Sequence, residues 1–514
     1  MKTQRPNVIF IYADDLGRGM LSCYGQRHFA TPNIDRIAHQ GMRFTNAYGC
    51  AFCAPARASL LTGMHDCHRG GWTYTRGAIY HRYTQQRMSL SEISELIHTI
   101  GLNPPPDELF LPQIARAAGY VTAQIGKLEW GFSTTDRELR RHGWDYHFGY
   151  YDHVQCHGFY PPYLFENGAP VELRGNTRLD CGKAPEGESP EHREARWDRR
   201  GCAVYSQDVF DQKIVAFLRA HADRPFFLYH PSQLPHGPIS IPEIDPAVAG
   251  APGLTQYERE YASMVLRLDR TVGIILDELR ALGIEDKTMV VFCSDNGHSP
   301  YYHEAGRCEP RRNLRTGEEY DNVTSKFYAE LSGDVFNGND GMAGLKFSNW
   351  EGGVRLPFVV RWPGVIAPGS SSELLMANYD FLPTMAEMLG VPLPAGKDGI
   401  SYLPTLRGDT AGQRTHDHLV FASGLGPALV TQDGWKLKQV TLPRKNLYQL
   451  YHLPSDYREE RNVVYEQREL VERLGATLLR ACDGNFHNGM PEAHHVWFPG
   501  INFHGPDCDW DMAP

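Results

Sequence analysis

Short apolar runs alternate with helical patterns along most of the chain. Buried strands are predicted where apolar and β-branched residues cluster, at 7–15, 225–230, 288–297 and 356–364. Amphipathic helices are predicted where apolar residues recur every three or four positions, at 31–41, 204–221 and 257–283, and a helix, glycine turn and strand at 111–127. Such alternation is typical of an α/β fold in which helices cover both faces of a large, mostly parallel sheet.

The pattern changes after residue 400. Short apolar runs there read as antiparallel strands joined by an Asp-Gly turn at 433–434, and a helix follows at roughly 465–481. We therefore predict a large α/β domain over 1–400 and a smaller α+β domain with an antiparallel sheet over 401–514. Two stretches, 150–203 and 299–345, fit neither pattern and are predicted as long loops over the large sheet.

Composition narrows the function classes. The 514 residues are 41% hydrophobic and 22% charged, which indicates a globular protein. A formal net charge of −10 argues against a nucleic-acid binder. No apolar run is long enough for a membrane span, and the N-terminus shows no signal peptide. The chain as it stands is expected in the cytoplasm, or in the periplasm or outside the cell if a leader was removed.

The eleven cysteines show no repeated spacing, so a dense disulfide framework is not expected. Cys50 and Cys53 are spaced as a redox pair or as half of a zinc site, although no second pair follows. Cys53 also stands where a helix is expected to begin, with Gly63 as its stop. Because helix N-termini favour anions, a thiol there is expected to be acidified. It could serve as a nucleophile, a metal ligand, half of a disulfide or the precursor of another group.

Polar residues follow several of the predicted strands. In parallel sheets such positions form the ligand crevice. Oxygen ligands alone suit Ca²⁺ or Mg²⁺ better than zinc, although each pair by itself is also common in ordinary turns. The residues at these strand ends are Asp14, Asp15, Lys127, His230, Asp295 and Asn296.

The segment CAPARASLLTG, residues 53–63, resembles the signature of the type I sulfatases in the alkaline phosphatase superfamily. Cys53, Pro55 and Arg57 occupy the motif's defining positions. The resemblance implies that a formylglycine-generating enzyme oxidises Cys53 to formylglycine. This aldehyde hydrates to a geminal diol, and a diol oxygen attacks the sulfate ester.

Five further segments resemble segments of the same family and follow the family's order along the chain. They are PNVIFIYADDLG, IGKLEWG, PHGP and FCSDNG, followed by GLKFSNWEGGVRLPFVVRWPG at 344–364. The resemblance implies a calcium site, with magnesium possible, formed by Asp14, Asp15, Cys53, Asp295 and Asn296. It implies a catalytic set of Cys53, Arg57, Lys127, His236 and Lys346. In that set the lysines hold sulfate, His236 protonates the leaving oxygen and Arg57 stabilises the nucleophile.

One position departs from the family pattern. Many members carry a histidine two residues after the lysine of the Gly-Lys segment, whereas this chain has Glu129. The stretch 150–163 resembles an insert of carbohydrate-directed members, and a galacto-configured 4-sulfate is one candidate substrate. The candidate sugar contacts, which in the alternative interpretation are ordinary packed residues, are Glu129, Asp152, His153, His157 and Trp350.

The sequence thus predicts a sulfatase acting on a small or oligosaccharide sulfate ester. Two alternatives remain open. A phosphonate or phosphate diester hydrolase of the same superfamily is one, although histidine would be expected there in place of Asn296. The other is a non-catalytic protein that binds sulfated glycans and keeps the fold.

Overall fold

The computed structural model describes residues 5–68, 79–99, 107–131, 133–177, 198–303, 326–442 and 445–490. A ten-stranded sheet is its largest element, with the strand order β11-β2-β10-β9-β1-β8-β4-β5-β6-β7. Its strands are β1 (Asn7–Ala13), β2 (Met42–Phe44), β4 (Val121–Gly126), β5 (Tyr146–Gly149), β6 (Tyr163–Glu166), β7 (Ala169–Glu172), β8 (Phe226–Pro231), β9 (Thr288–Ser294), β10 (Phe358–Arg361) and β11 (Ser370–Ser372).

The centre of this sheet is parallel and its outer parts are mixed. β1 pairs in parallel with β8 on one side and β9 on the other, and β4 continues the parallel run to β5. β10 runs antiparallel to β9, and β6 and β7 are antiparallel additions. All seven residues of β1 are buried, as expected for a strand covered on both faces. The predicted α/β fold is confirmed.

Helices pack on both faces of the sheet. The longest, 26 residues, begins at a capping box in which Thr255 and Glu258 bond to each other's backbone N–H. The helices are α1 (Pro32–His39), α2 (Cys53–Thr62), α3 (His81–Thr84), α4 (Leu90–Thr99), α5 (Leu111–Ala117), α6 (Asp136–His142), α7 (Ser206–His221), α8 (Pro246–Ala249), α9 (Gln256–Ala281), α10 (Ala329–Ser332), α11 (Glu351–Val354), α12 (Phe381–Leu389), α13 (Leu403–Leu406) and α14 (Arg468–Ala481).

Two small sheets complete the fold. β3 (Ala47–Tyr48) pairs with β12 (Met376–Ala377), and an antiparallel sheet follows in the order β13 (His418–Phe421), β14 (Ala428–Thr431), β15 (Trp435–Leu442) and β16 (Lys445–His452). The antiparallel sheet and α14 form the smaller unit expected near the C-terminus. A shared apolar cluster, including Tyr48 and Phe421, packs this sheet against the large unit. The domain boundary at residue 400 stays a prediction, and residues 491–514 lie outside the described part.

The two long loops predicted from the sequence are described only in part. The loop predicted over 150–203 contains β6 and β7, while its residues 178–197 lie outside the described part. The loop predicted over 299–345 is described only at its two ends, since 304–325 lie outside. None of the helices in the described ranges combines the length and the hydropathy that crossing a membrane requires.

Candidate active site

Polar side chains gather at the carboxyl edge of four neighbouring strands. Asp14 and Asp15 follow β1, and Asp295 and Asn296 follow β9. Lys127 follows β4, which is separated from β1 only by β8. These strands are parallel, so their ends meet at one edge of the sheet.

His230, also expected at this edge, is not part of the group. Its Nδ1 lies 2.7 Å from the carbonyl oxygen of Ile125 on the next strand. The ring is fully buried beside Gln207. His230 therefore makes structural contacts inside the fold. The histidine that reaches the site is His236, six residues later.

Helix α2 delivers Cys53 and Arg57 to this edge. Cys53 is the first residue of the helix, and Phe52 before it is extended. All ten residues of α2 are buried, so the helix start lies inside the protein. Arg57, one turn further on, places Nη2 at 2.9 Å from Asp295 Oδ2 and 3.6 Å from Asp14 Oδ2. The helix thus brings a nucleophile position and a cation to the acidic cluster together.

Two lysines complete the positive charge. The Lys127 ammonium group donates to Asp14 Oδ2. Lys346 Nζ lies 2.8 Å from Asp15 Oδ2 and 3.1 Å from His236 Nε2. The other ring nitrogen of His236, Nδ1, faces the carbonyl oxygen of Gly237 at 2.5 Å. Nε2 of His236 is therefore the nitrogen that faces the charged cluster.

The acidic cluster has the donor set of a hard-cation site. One ligand atom each from Asp14, Cys53 and Asp295 lies within 4.8 Å of the others. Asn296 Nδ2 donates to Asp15 Oδ1 at 2.8 Å, which turns Asn296 Oδ1 away from that bond. Asp14 Oδ1 and Asn296 Oδ1 are buried without a hydrogen-bond partner among the described residues. Buried oxygens without donors fit a calcium or magnesium ion, which binds carboxylate and amide oxygens.

Burial and neighbouring charges set the ionisation of these acids. Burial and the charge of Asp14 raise the pKa of Asp295 to about 8, against the opposing charge of Arg57. Burial also acts to raise the pKa of Asp14, but the charges of Lys127 and Arg57 outweigh it and hold the pKa below its usual value. Each negative charge in this buried cluster is therefore unfavourable unless a nearby cation balances it.

The expected acidification of Cys53 is wrong. Burial raises the pKa of the Cys53 thiol, although the charges of Lys127 and Lys346 oppose the effect. The start of α2 lies in the core, with Cys53 only 4% exposed, so loss of hydration outweighs the helix dipole. The raised pKa disfavours Cys53 as a thiolate nucleophile. It favours the interpretation of Cys53 as the precursor of formylglycine.

Tyr301 is a site residue that the sequence patterns missed. Its hydroxyl donates to Asp15 Oδ2 and lies 3.3 Å from His236 Nε2. The ring packs so closely on Gly237 that a Cβ there would lie 2.2 Å from Tyr301 Cδ1. Tyr301 stands five residues after Asn296, in a stretch where no spacing rule marks it, so proximity in the fold alone reveals it.

Replacing Tyr301 with phenylalanine should lower kcat for an aryl sulfate by roughly tenfold or more. One hydrogen bond to a charged group contributes roughly 1.5–3 kcal/mol, and this bond holds Asp15 against His236. Steady-state kinetics with the metal saturating would check it. Tyr302→Phe is the matched control, because that hydroxyl bonds to Asp334 and His298 instead. Equal effects of the two substitutions would contradict a specific role for Tyr301.

Three of the candidate sugar contacts come from one segment. The rings of His153 and His157 lie 4.6 Å apart, and the ring of His157 lies 4.2 Å from that of His236. Asp152 Oδ1 accepts from Val154 N at 2.8 Å, and its Oδ2 accepts from Tyr80 N at 3.2 Å. His157 is thus beside the catalytic candidates, whereas the Asp152 carboxylate joins its own loop to the segment of Tyr80. Their substrate roles stay predictions.

The remaining two candidates have structural surroundings. The Glu129 carboxylate accepts from Trp144 Nε1 at 2.7 Å and faces His142 Nδ1 at 2.5 Å. Trp350 packs with Tyr451 of the small sheet, under Lys326 and Lys438. Glu129 does not take the place of the histidine found in many members, since both its oxygens are engaged inside the fold. Sugar contacts by either residue stay predictions.

Glu129→Ala should cost about 3 kcal/mol of folding free energy and leave KM unchanged within about twofold. It would remove the side-chain partner of the buried His142 and the hydrogen-bond acceptor of Trp144 Nε1. Urea denaturation and kinetics would measure the two effects. Glu129→Gln, which can still accept from Trp144, should recover much of the loss. A large rise in KM without loss of stability would instead place Glu129 in contact with substrate.

Three comparisons with known proteins identify the family of this chain. The family model described as Sulfatase matches residues 6–391, and one described as N-sulphoglucosamine sulphohydrolase, C-terminal, matches 345–481. The N-acetylgalactosamine-6-O-sulfatase of Bacteroides thetaiotaomicron is 29% identical over 93% of this chain and 93% of its own length. Human arylsulfatase A is 29% identical over 78% of this chain and 68% of its own length.

A solved structure extends the likeness to three dimensions. It is a 6S-sulfatase structure from work on the metabolism of multiple glycosaminoglycans by Bacteroides thetaiotaomicron. Its TM-score is 0.68 at 26% identity, and the match covers 94% of this chain and 100% of that chain.

Proposed function

Because this chain belongs to the sulfatase family, we propose that it hydrolyses a sulfate ester of a saccharide with formylglycine derived from Cys53 and a calcium ion. The observation that carries the proposal is the position of Cys53. It stands at the buried start of α2, within 4.8 Å of carboxylate oxygens of Asp14 and Asp295. Arg57, Lys127 and Lys346 form ion pairs with these acids and would attract an anionic substrate.

Each charged residue then has a task in the reaction. Asp14, Asp15, Asp295 and Asn296 would hold the cation. When bound, calcium or magnesium polarises the sulfate group as a Lewis acid. Lys127 and Lys346 would orient the sulfate oxygens and balance the charge that develops on them.

His236 would protonate the leaving group. Its Nε2 faces Lys346 and Asp15, and a protonated Nε2 would donate to the leaving oxygen. Arg57 donates a hydrogen bond to Asp295 and would stabilise the nucleophile derived from Cys53. Burial of all these groups excludes water and strengthens each charge interaction.

A saccharide substrate is supported by the surroundings of His236. His153 and His157 offer ring faces and hydrogen-bonding nitrogens suited to a sugar ring and its hydroxyls. Relatives named as N-acetylgalactosamine-6-sulfatases make a galacto-configured 6-sulfate the first candidate beside the 4-sulfate.

Mass spectrometry and a substrate panel would test the proposal. The chain would be co-expressed with a formylglycine-generating enzyme, and the peptide with Cys53 examined for conversion of CH₂SH to CHO. Turnover would be compared among 6- and 4-sulfated N-acetylgalactosamine, an aryl sulfate and an aryl phosphonate ester. Faster cleavage of the phosphonate ester would favour the diester hydrolase. An unconverted Cys53 with binding but no turnover would favour a glycan-binding protein.

A further inference from the structure

Two cysteines distant in sequence meet where the large unit contacts the small one. Cys67 lies in the loop after α2, and Cys482 directly follows α14. Both are fully buried. They belong to one apolar cluster, whose other members include Ala422, Leu450 and Leu478.

The two thiols lie close enough to interact with each other. Burial, followed by a side-chain hydrogen bond with Cys482, raises the pKa of Cys67. The next residues along each chain segment also pair, with His68 Nδ1 at 3.2 Å from Asp483 Oδ2. Two consecutive pairings fix the segments side by side. Both cysteines are unbridged thiols in this structure.

We propose that Cys67 and Cys482 form a disulfide that links the end of α14 to the loop following α2. The oxidant would be a small-molecule disulfide such as glutathione disulfide. One cysteine thiolate attacks it and releases one glutathione thiol, leaving a mixed disulfide. The second cysteine then displaces the other glutathione. The two cysteines lose two electrons, the oxidant gains them, and the two protons end on the released thiols.

Burial determines when this bond can form. A raised pKa leaves little thiolate in the folded state, and small oxidants cannot reach fully buried sulfurs. The bond is therefore expected to form during folding, after which the same burial protects it from reduction. It would close a very long loop of chain and restrict the unfolded state accordingly. Pairing with Cys482 would also keep Cys67 from reacting with Cys53, which must stay available for conversion.

Refolding the full chain under two redox conditions would test the pair. Reduced protein unfolded in urea would be diluted into a mixture of reduced and oxidised glutathione, or into reduced glutathione alone. Free thiols would then be alkylated under denaturing conditions and the digest mapped without reduction. We expect most of the first sample to carry the peptide linking Cys67 to Cys482, and the second sample to lack it. The urea midpoint should be higher for the linked sample.

Substitutions separate this pair from other cysteines. In Cys482→Ser the link and the difference in midpoint should both disappear. Cys23→Ser, a matched change at a partly buried cysteine elsewhere, should leave both in place. Cys50 is a competitor for Cys67, because both cysteines interact with Asp66. Recovery of Cys67 as an alkylated thiol in the unsubstituted chain, or linked at random to Cys50 and Cys53, would overturn the proposal.

Discussion

Replacing Cys53 with serine should lower turnover of an aryl sulfate by a factor on the order of 10⁴ or more. Serine offers one hydroxyl, so a sulfate ester formed on it has no second hydroxyl on the same carbon to expel it. The first residue of α2 is small and makes no described side-chain hydrogen bond that serine would lose, so the fold should persist. Initial rates with protein matured alongside a formylglycine-generating enzyme would give the loss.

Two controls sharpen this experiment. Cys156→Ser alters another buried thiol, close enough to interact with Lys127 and Cys53, and it should retain most of the activity. Circular dichroism and a thermal melt of Cys53→Ser would show that the fold is intact. Rapid, sustained turnover by the serine variant would contradict a mechanism that depends on the modified residue.

Removing divalent cations with a chelator should lower activity by a factor on the order of 100 or more and lower the Tm. Without a cation, Asp14, Asp15 and Asp295 remain close together and fully buried, and their mutual repulsion opposes folding. Calcium added back should restore both activity and Tm, and magnesium should do so less completely. A thermal shift assay reports the binding independently of catalysis.

Variants would locate that effect at the acidic cluster. Asp14→Ala should abolish the calcium-dependent rise in Tm, because it removes a carboxylate with a free buried oxygen. Asp223→Asn, at an exposed carboxylate paired with its neighbour Arg224, should leave the rise unchanged. If chelation changed neither activity nor Tm, the oxygen cluster would have to be balanced by its lysines and Arg57 alone.

Local sequence patterns predicted the central strands, the longest helix and the candidate site residues. Apolar runs located the central strands β1, β8 and β9, because a strand buried on both faces must be apolar along its whole length. The spacing of apolar residues predicted a helix from residue 257, one residue after the observed start of α9. The sulfatase-like segments contain the candidate metal ligands and catalytic residues, and the fold brings these segments together at one edge of the sheet.

Other features depend on contacts between distant residues. The sequence alone placed Cys53 at a helix N-terminus, but only the burial of α2 shows that the pKa of its thiol rises. It marked Glu129 as a departure, but only the fold brings His142 and Trp144 to its oxygens. Tyr301 and the pair of Cys67 and Cys482 carry no local signal at all. The sequence determined which elements form and which chemical groups the strands end in, because these depend on near neighbours. The tertiary structure decided how far these groups are hydrated, which charges surround them and which side chains they pair with. These properties depend on which distant segments pack against each other.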